Sequence, residues 1–177
     1  MGAQSHQRLF GLFEGLGMCP DAGTPGGGHA VQMIAYLAQA CGIDLGYRYS
    51  WYLRGPYSRD AARDGLLMRE CARGGAPAAP PGGDIGALRA LISAHTDDPL
   101  WLETAASAIH LHRHLYAGRP LGDLVGHLLY EMAPGHDGLA GEDVQRVVDC
   151  LLEHHLLEDV DPGHGRAGRG LCRPVVP

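Results

Sequence analysis

Tyr47-Arg48-Tyr49-Ser50-Trp51-Tyr52-Leu53-Arg54-Gly55-Pro56-Tyr57-Ser58-Arg59-Asp60 carries five of the chain's eleven aromatic side chains (7 Tyr, 2 Trp, 2 Phe). Tyr47, Tyr49, Trp51 and Leu53 alternate with Arg48, Ser50, Tyr52 and Arg54. A period of two is that of a half-buried strand, because successive side chains point to opposite faces of a pleated ribbon. The spacing predicts a strand over 47–54, broken by a Gly55-Pro56 turn. Ser58 then supplies the hydroxyl that accepts from free backbone N–H groups at a helix start, so a helix is expected from about Arg59.

Outward from this segment the pattern is helical. Leu9, Leu12, Phe13 and Leu16 lie three and four apart, which predicts a first helix over about Gln4 to Leu16. Residues Cys19 to Gly28 hold two prolines and four glycines and are expected to form a loop. Val31, Ile34, Leu37, Ala38 and Cys41 mark a core helix from His29 to Cys41, with Gly42 suited to the position after its C-cap. A third helix is expected from Arg59 to Ala72, and a Gly/Pro-rich linker over about 73–83. The second half predicts helices over Asp84–Ala94, Pro99–Tyr116, Leu121–Met132 and Gly141–Glu158. Leu102, Ala105, Ala106, Ile109 and Leu115 are expected to face inward, and Asp97 or Asp98 to cap the helix at Pro99. Val144, Val147, Val148, Leu151, Leu152 and Leu156 form a wide apolar stripe on the last helix. Residues 161–177 carry little to bury and are expected to be a disordered, weakly basic tail. The fold class that follows is mainly α: one domain over 1–160, of six or so helices with a small β element.

Composition narrows the function classes. A formal charge of −6 argues against a surface that is basic throughout and holds nucleic acid by charge alone. All fourteen basic residues are arginine, a bias more easily ascribed to coding than to binding. The triple glycine at 26–28 lacks the preceding strand and the Gly-Lys-Ser/Thr ending of a phosphate loop. No apolar run approaches the roughly 20 residues of a membrane span, and no secretory leader is evident, so a cytoplasmic protein is expected. The five cysteines are scattered with no Cys-x-x-Cys pair, which predicts reduced thiols and neither a disulfide framework nor a zinc ribbon.

Candidate chemistry is sparse. His110 and His114 lie one helical turn apart and are weak candidates for metal ligands. They lack the intervening glutamate of the helical zinc motif, and a third ligand would have to come from His154, His155 or another distant residue. The simpler expectation is that they are solvated surface histidines. Glu103, Glu131, Glu142, Asp143, Asp149 and Glu153 are expected to be scattered over helix surfaces, and Cys41 and Cys150 to be buried inert thiols. Arg48, Arg54, Arg59 and Arg63 stand in or beside the aromatic segment, where arginine and tyrosine together favour docking by stacking and paired hydrogen bonds. Arg54 has Asp60 and Asp64 as candidate internal partners.

At Met33-Ile34-Ala35-Tyr36-Leu37-Ala38-Gln39-Ala40-Cys41-Gly42, followed by Tyr49-Ser50-Trp51-Tyr52-Leu53-Arg54-Gly55-Pro56-Tyr57-Ser58, the chain resembles the YwgA-like group of small prokaryotic proteins. More distantly it is similar to the Panacea (SocA-like) antitoxin domain and to the toxin-binding C-terminal half of macrodomain antitoxins. The likeness spans about Val31 to Asp64, with His29 and Gln32 standing where such proteins carry lysine. It implies a compact helical domain, somewhat like a winged helix, that binds a protein as an antitoxin or regulator, and it supplies no catalytic residues.

The leading expectation is therefore a non-enzymatic interaction subunit, antitoxin-like or defence-associated, with no cofactor. Its protein partner, a toxin or effector subunit, is expected to meet Arg48, Tyr52, Arg54, Tyr57 and Arg59, with Gly55, Pro56 and Ser58 as the structural turn. A nucleic-acid-binding regulator using Arg59, Arg63 and Arg69, and a metal-dependent hydrolase built on His110 and His114, are the alternatives.

Overall fold

A computed structural model describes residues 2–53, 55–71, 82–136 and 139–159. Seven α-helices and one two-stranded antiparallel sheet appear among them. The order is α1 (Gly2–Leu16), α2 (Pro25–Ala40), β1 (Ser50–Tyr52), β2 (Gly55–Tyr57), α3 (Arg59–Cys71), α4 (Ile85–Ile92), α5 (Pro99–Leu111), α6 (Leu121–Met132) and α7 (Gly141–Glu153). The expected linker lies outside the described residues except for Gly82 and Gly83, and the expected tail lies outside them entirely.

The apolar periodicities identify the core. Leu9, Leu12 and Phe13 of α1, Val31, Ile34, Leu37 and Ala38 of α2, and Leu102, Ala105, Ala106 and Ile109 of α5 are all buried. Alanines on α5 let α2 lie close against it, while α2 and α1 both pack on α3. The α7 stripe closes the other side through Val144, Val147, Val148 and Leu151, packed on α5 and α6. One core thus joins the two halves of the sequence across the Gly/Pro-rich segment.

Several expectations are corrected. α2 begins at Pro25 rather than His29, because Thr24 caps it: its hydroxyl accepts from the Gly27 N–H (3.1 Å) and donates to the Asp21 carbonyl (2.8 Å). A Cβ on Gly27 would lie 2.1 Å from the Asp21 carbonyl oxygen, so the glycine run serves a helix start pressed against the preceding loop. α5 ends at Leu111, and His112–Tyr116 continue it as a wider π-helical turn. That change of pitch turns Leu115 outward, 55% exposed, against the expectation of an inward side chain. α7 stops at Glu153, short of Glu158, where the chain turns through His155 at φ 56°.

The hairpin is also shorter than its alternation suggested. Ser50, Trp51 and Tyr52 pair with Tyr57, Pro56 and Gly55, so the reversal comes after Tyr52 and Gly55-Pro56 belongs to the second strand. Pro56 sits opposite Trp51 in the middle pair, between the ladder rungs that an antiparallel closing turn requires, where a missing N–H costs nothing. Leu53 takes φ 52° and is 73% exposed, instead of facing inward with Tyr47, Tyr49 and Trp51. Ser58 is a cap as expected, its hydroxyl accepting from the Ala61 N–H at 3.3 Å.

Candidate functional site: an apolar groove beside the hairpin

Two glutamines of α2 hold the aromatic segment at both ends. Gln39 accepts from the Tyr47 N–H (2.9 Å) and donates to the Tyr47 carbonyl (3.0 Å). Gln32, one heptad earlier on the same face, accepts from the Ser58 N–H (3.1 Å) and donates to the Ser58 carbonyl (2.8 Å). Each primary amide thus replaces a neighbouring strand for one residue of backbone. Between the clamps, Tyr47 donates to the buried Asp64 carboxylate at 3.1 Å. Burial first, and then the Asp64 charge, push the Tyr47 hydroxyl well above the usual tyrosine range.

So anchored, the hairpin forms one wall of a groove of about 550 Å³. Tyr52, Leu53, Gly55, Pro56 and Tyr57 supply that wall, and Ala62, Gly65 and Leu66 of α3, the start of α2 with Val31, Gln32 and Met33, and the loop before it line the remainder with Glu103. Gly65 is needed here, since a Cβ would come within 3.0 Å of Val31 Cγ1 where α3 crosses α2. Tyr52 (59% exposed), Leu53, Tyr57 (38%) and Leu66 (56%) form the rim, and Leu67 (39%) is exposed next to it in sequence. The Tyr52 and Tyr57 rings lie 5.4 Å apart.

Glu103 of α5 reaches the groove from below. Only 12% of its side chain is exposed, which corrects its placement among surface carboxylates. Its Oε2 lies 3.2 Å from His29 Nε2, and its Oε1 lies 3.4 Å from His136 Nε2. Burial pushes this carboxyl up, but the two imidazoles, His29 ahead of His136, outweigh it and hold the group below the usual carboxylate range.

Of the expected partner-binding residues, the structure brings Tyr52 and Tyr57 into the groove and leaves Arg48 and Arg59 exposed. Arg54 lies outside the described residues. Its candidate partners are already engaged: Arg63 meets Asp64 at 3.0 Å and Asp60 at 3.3 Å. Gly55 and Pro56 are buried wall residues, and a Cβ at Gly55 would come within 3.0 Å of Ser107 Oγ on α5. The residues missed from sequence are Leu66, Met33, His29 and Glu103. The exposed Leu66-Leu67 pair in an otherwise polar helix was their one legible signal.

The histidine pair is only half solvated. His110 is 7% exposed, with its Nδ1 3.4 Å from the Tyr36 hydroxyl and its ring 5.8 Å from that of Trp51. A hydrogen bond joins the Tyr36 hydroxyl to that ring, and burial raises Tyr36 to about 12. His114 is exposed, 4.4 Å away between ring centroids. Among the described residues, no three His, Cys, Asp or Glu side chains converge as metal ligands, so these two histidines have no third partner there.

Burial, reinforced by the charges of His114 and Arg113, drops His110 to about 4. An unfolded histidine takes up its proton near 6.5, so native stability is whole above that value and falls as the pH descends toward 4. The expected loss is about 2 kcal/mol. Urea unfolding at pH 7 and pH 4.5 should record it, and His110→Gln should flatten the difference. An unchanged pH dependence in the variant would refute the assignment.

No family model, curated protein or solved structure matches this chain.

Proposed function

We propose that the protein is a non-enzymatic interaction subunit that docks a partner protein in the hairpin–α3 groove. The observation that carries this reading is the grouping of exposed apolar side chains. Among the described residues, seven large apolar or tyrosine side chains are exposed, and Tyr52, Leu53, Tyr57, Leu66 and Leu67 all belong to the hairpin and α3. Scattered exposed leucines need no explanation, but a contiguous patch along a groove is the form that protein-binding surfaces take. The antitoxin-like or defence-associated role rests on the resemblance of residues Val31 to Asp64 to the YwgA-like group and, more distantly, to antitoxin domains, and a cytoplasmic setting goes with that reading.

The nucleic-acid alternative draws less support from the same helix. Arg63 is turned onto Asp60 and Asp64, and Leu66 and Leu67 occupy exposed positions that a phosphate-binding face would give to cations.

Tagged protein purified gently from its native host is expected to bring down a stoichiometric protein partner. Recovery of no partner would count against the reading. Salt-sensitive retention on duplex DNA at low ionic strength would favour the alternative.

A further inference from the structure

The groove has an apolar rim and an anionic floor. Among the described lining residues, Glu103 is the one carboxylate and none is an arginine. A carboxylate offers about four acceptor positions, and charge-assisted hydrogen bonds to nitrogen close to about 2.7–2.9 Å. Glu103 fills little of that capacity: among the described residues its polar contacts are the two imidazoles at 3.2 and 3.4 Å. The nearer one is out of line, leaving the buried His29 Nε2 without a hydrogen-bond partner. Carboxylate and imidazole therefore lie side by side under the opening, each short of a full set of partners. The walls above, with Val31, Met33, Pro56 and Leu66, suit the methylene stem of a long cationic side chain.

We infer that the groove receives a partner segment in which apolar side chains flank one arginine or lysine, the cationic head seated on Glu103. This rests on the docking reading above and specifies its occupant. The net charge of −6 draws a cationic segment toward the chain, and the planar fork of arginine matches a carboxylate with free acceptor positions better than a point charge does.

The test uses fluorescein-labelled, amidated hexapeptide mixtures with leucine, phenylalanine and alanine randomised around a fixed central arginine. Parallel mixtures carry citrulline, its neutral isostere, or glutamate at the centre. Fluorescence anisotropy with the full chain should give the arginine mixture an affinity about tenfold above citrulline, with glutamate weakest. Glu103→Gln should remove the arginine advantage. The arginine–citrulline comparison uses the unaltered chain and so does not depend on the variant folding. Equal affinities for arginine and citrulline, both reduced by Leu66→Ser, would overturn the inference while leaving the docking reading in place. Binding of no mixture would also overturn it, and the docking reading would then be decided by the purification from the host.

Discussion

Gln32→Ala is expected to lower the unfolding free energy by about 4 kcal/mol, although it removes a polar side chain from a helix and substitutes the best helix former. The cost arises across the gap, not in α2. Gln32 is 5% exposed and Ser58 2%, so the Ser58 N–H and carbonyl lose their partners where water cannot easily replace them. Each buried backbone group left unsatisfied costs about 1–3 kcal/mol, and the change leaves two. Ser58 is also the cap of α3, so the loss falls where hairpin, cap and helix meet. Thermal unfolding should drop by about 10 °C for a chain of this length. Gln39→Ala makes the informative comparison. Its clamp on Tyr47 is only partly buried, water can enter, and a smaller loss is expected. Gln32→Glu should not rescue, because a carboxylate accepts from the Ser58 N–H but cannot donate to the carbonyl. A loss below about 1 kcal/mol in Gln32→Ala would mean that the segment is held by its aromatic burial alone.

These clamps mark the boundary of what could be read in advance. Helices were legible because burying an apolar stripe imposes a period of 3.6. That is why Leu121–Met132 came out to the residue, and Leu9, Leu12 and Phe13 were placed in the core. The alternation through 47–52 was real, yet strand pairing covers only Ser50–Tyr52, and before it the pattern reflects burial. Tyr47 and Tyr49 face inward, the Gln39 side chain rather than a neighbouring strand meets the Tyr47 backbone, and the Tyr49 hydroxyl donates to the Gln32 carbonyl. A strand pattern in sequence records which face is dry, not what accepts its hydrogen bonds. The turn precedes Gly55-Pro56 because Gly55 is selected by the approach of α5 at Ser107 and not by the bend. His29, Glu103 and His136 come from three separate elements, and no spacing within one helix announces a cluster made by the packing of α2, α5 and the turn after α6. Nor could the burial of His110 be read locally, since what covers it is Tyr36 and Trp51 from elsewhere in the chain.

Tyr52→Ala is expected to weaken the purified partner complex by about a hundredfold while leaving thermal unfolding within about 2 °C of the parent. Both halves of that expectation come from its position. The side chain is 59% exposed in the free protein, so the folded state loses little when it is truncated, apart from the ring contact with Tyr57. In a complex the same side chain lines the groove together with Leu66, where a partner would bury it, and tyrosine anchors at the centre of interfaces cost about 2 kcal/mol or more when removed. Tyr130→Ala separates exposure from position. Tyr130 is more exposed, at 78%, but it lies on α6 and does not line the groove, so its loss should leave affinity within about twofold. Leu66→Ser attacks the α3 part of the lining without touching the hairpin and should reduce affinity in the same direction as Tyr52→Ala. If Tyr130→Ala and Tyr52→Ala weaken the complex equally, binding follows exposed aromatic area wherever it lies, and the groove has no special claim. If Tyr52→Ala lowers the unfolding temperature as much as Gln32→Ala does, its ring belongs to the folded core and any effect on the partner is indirect.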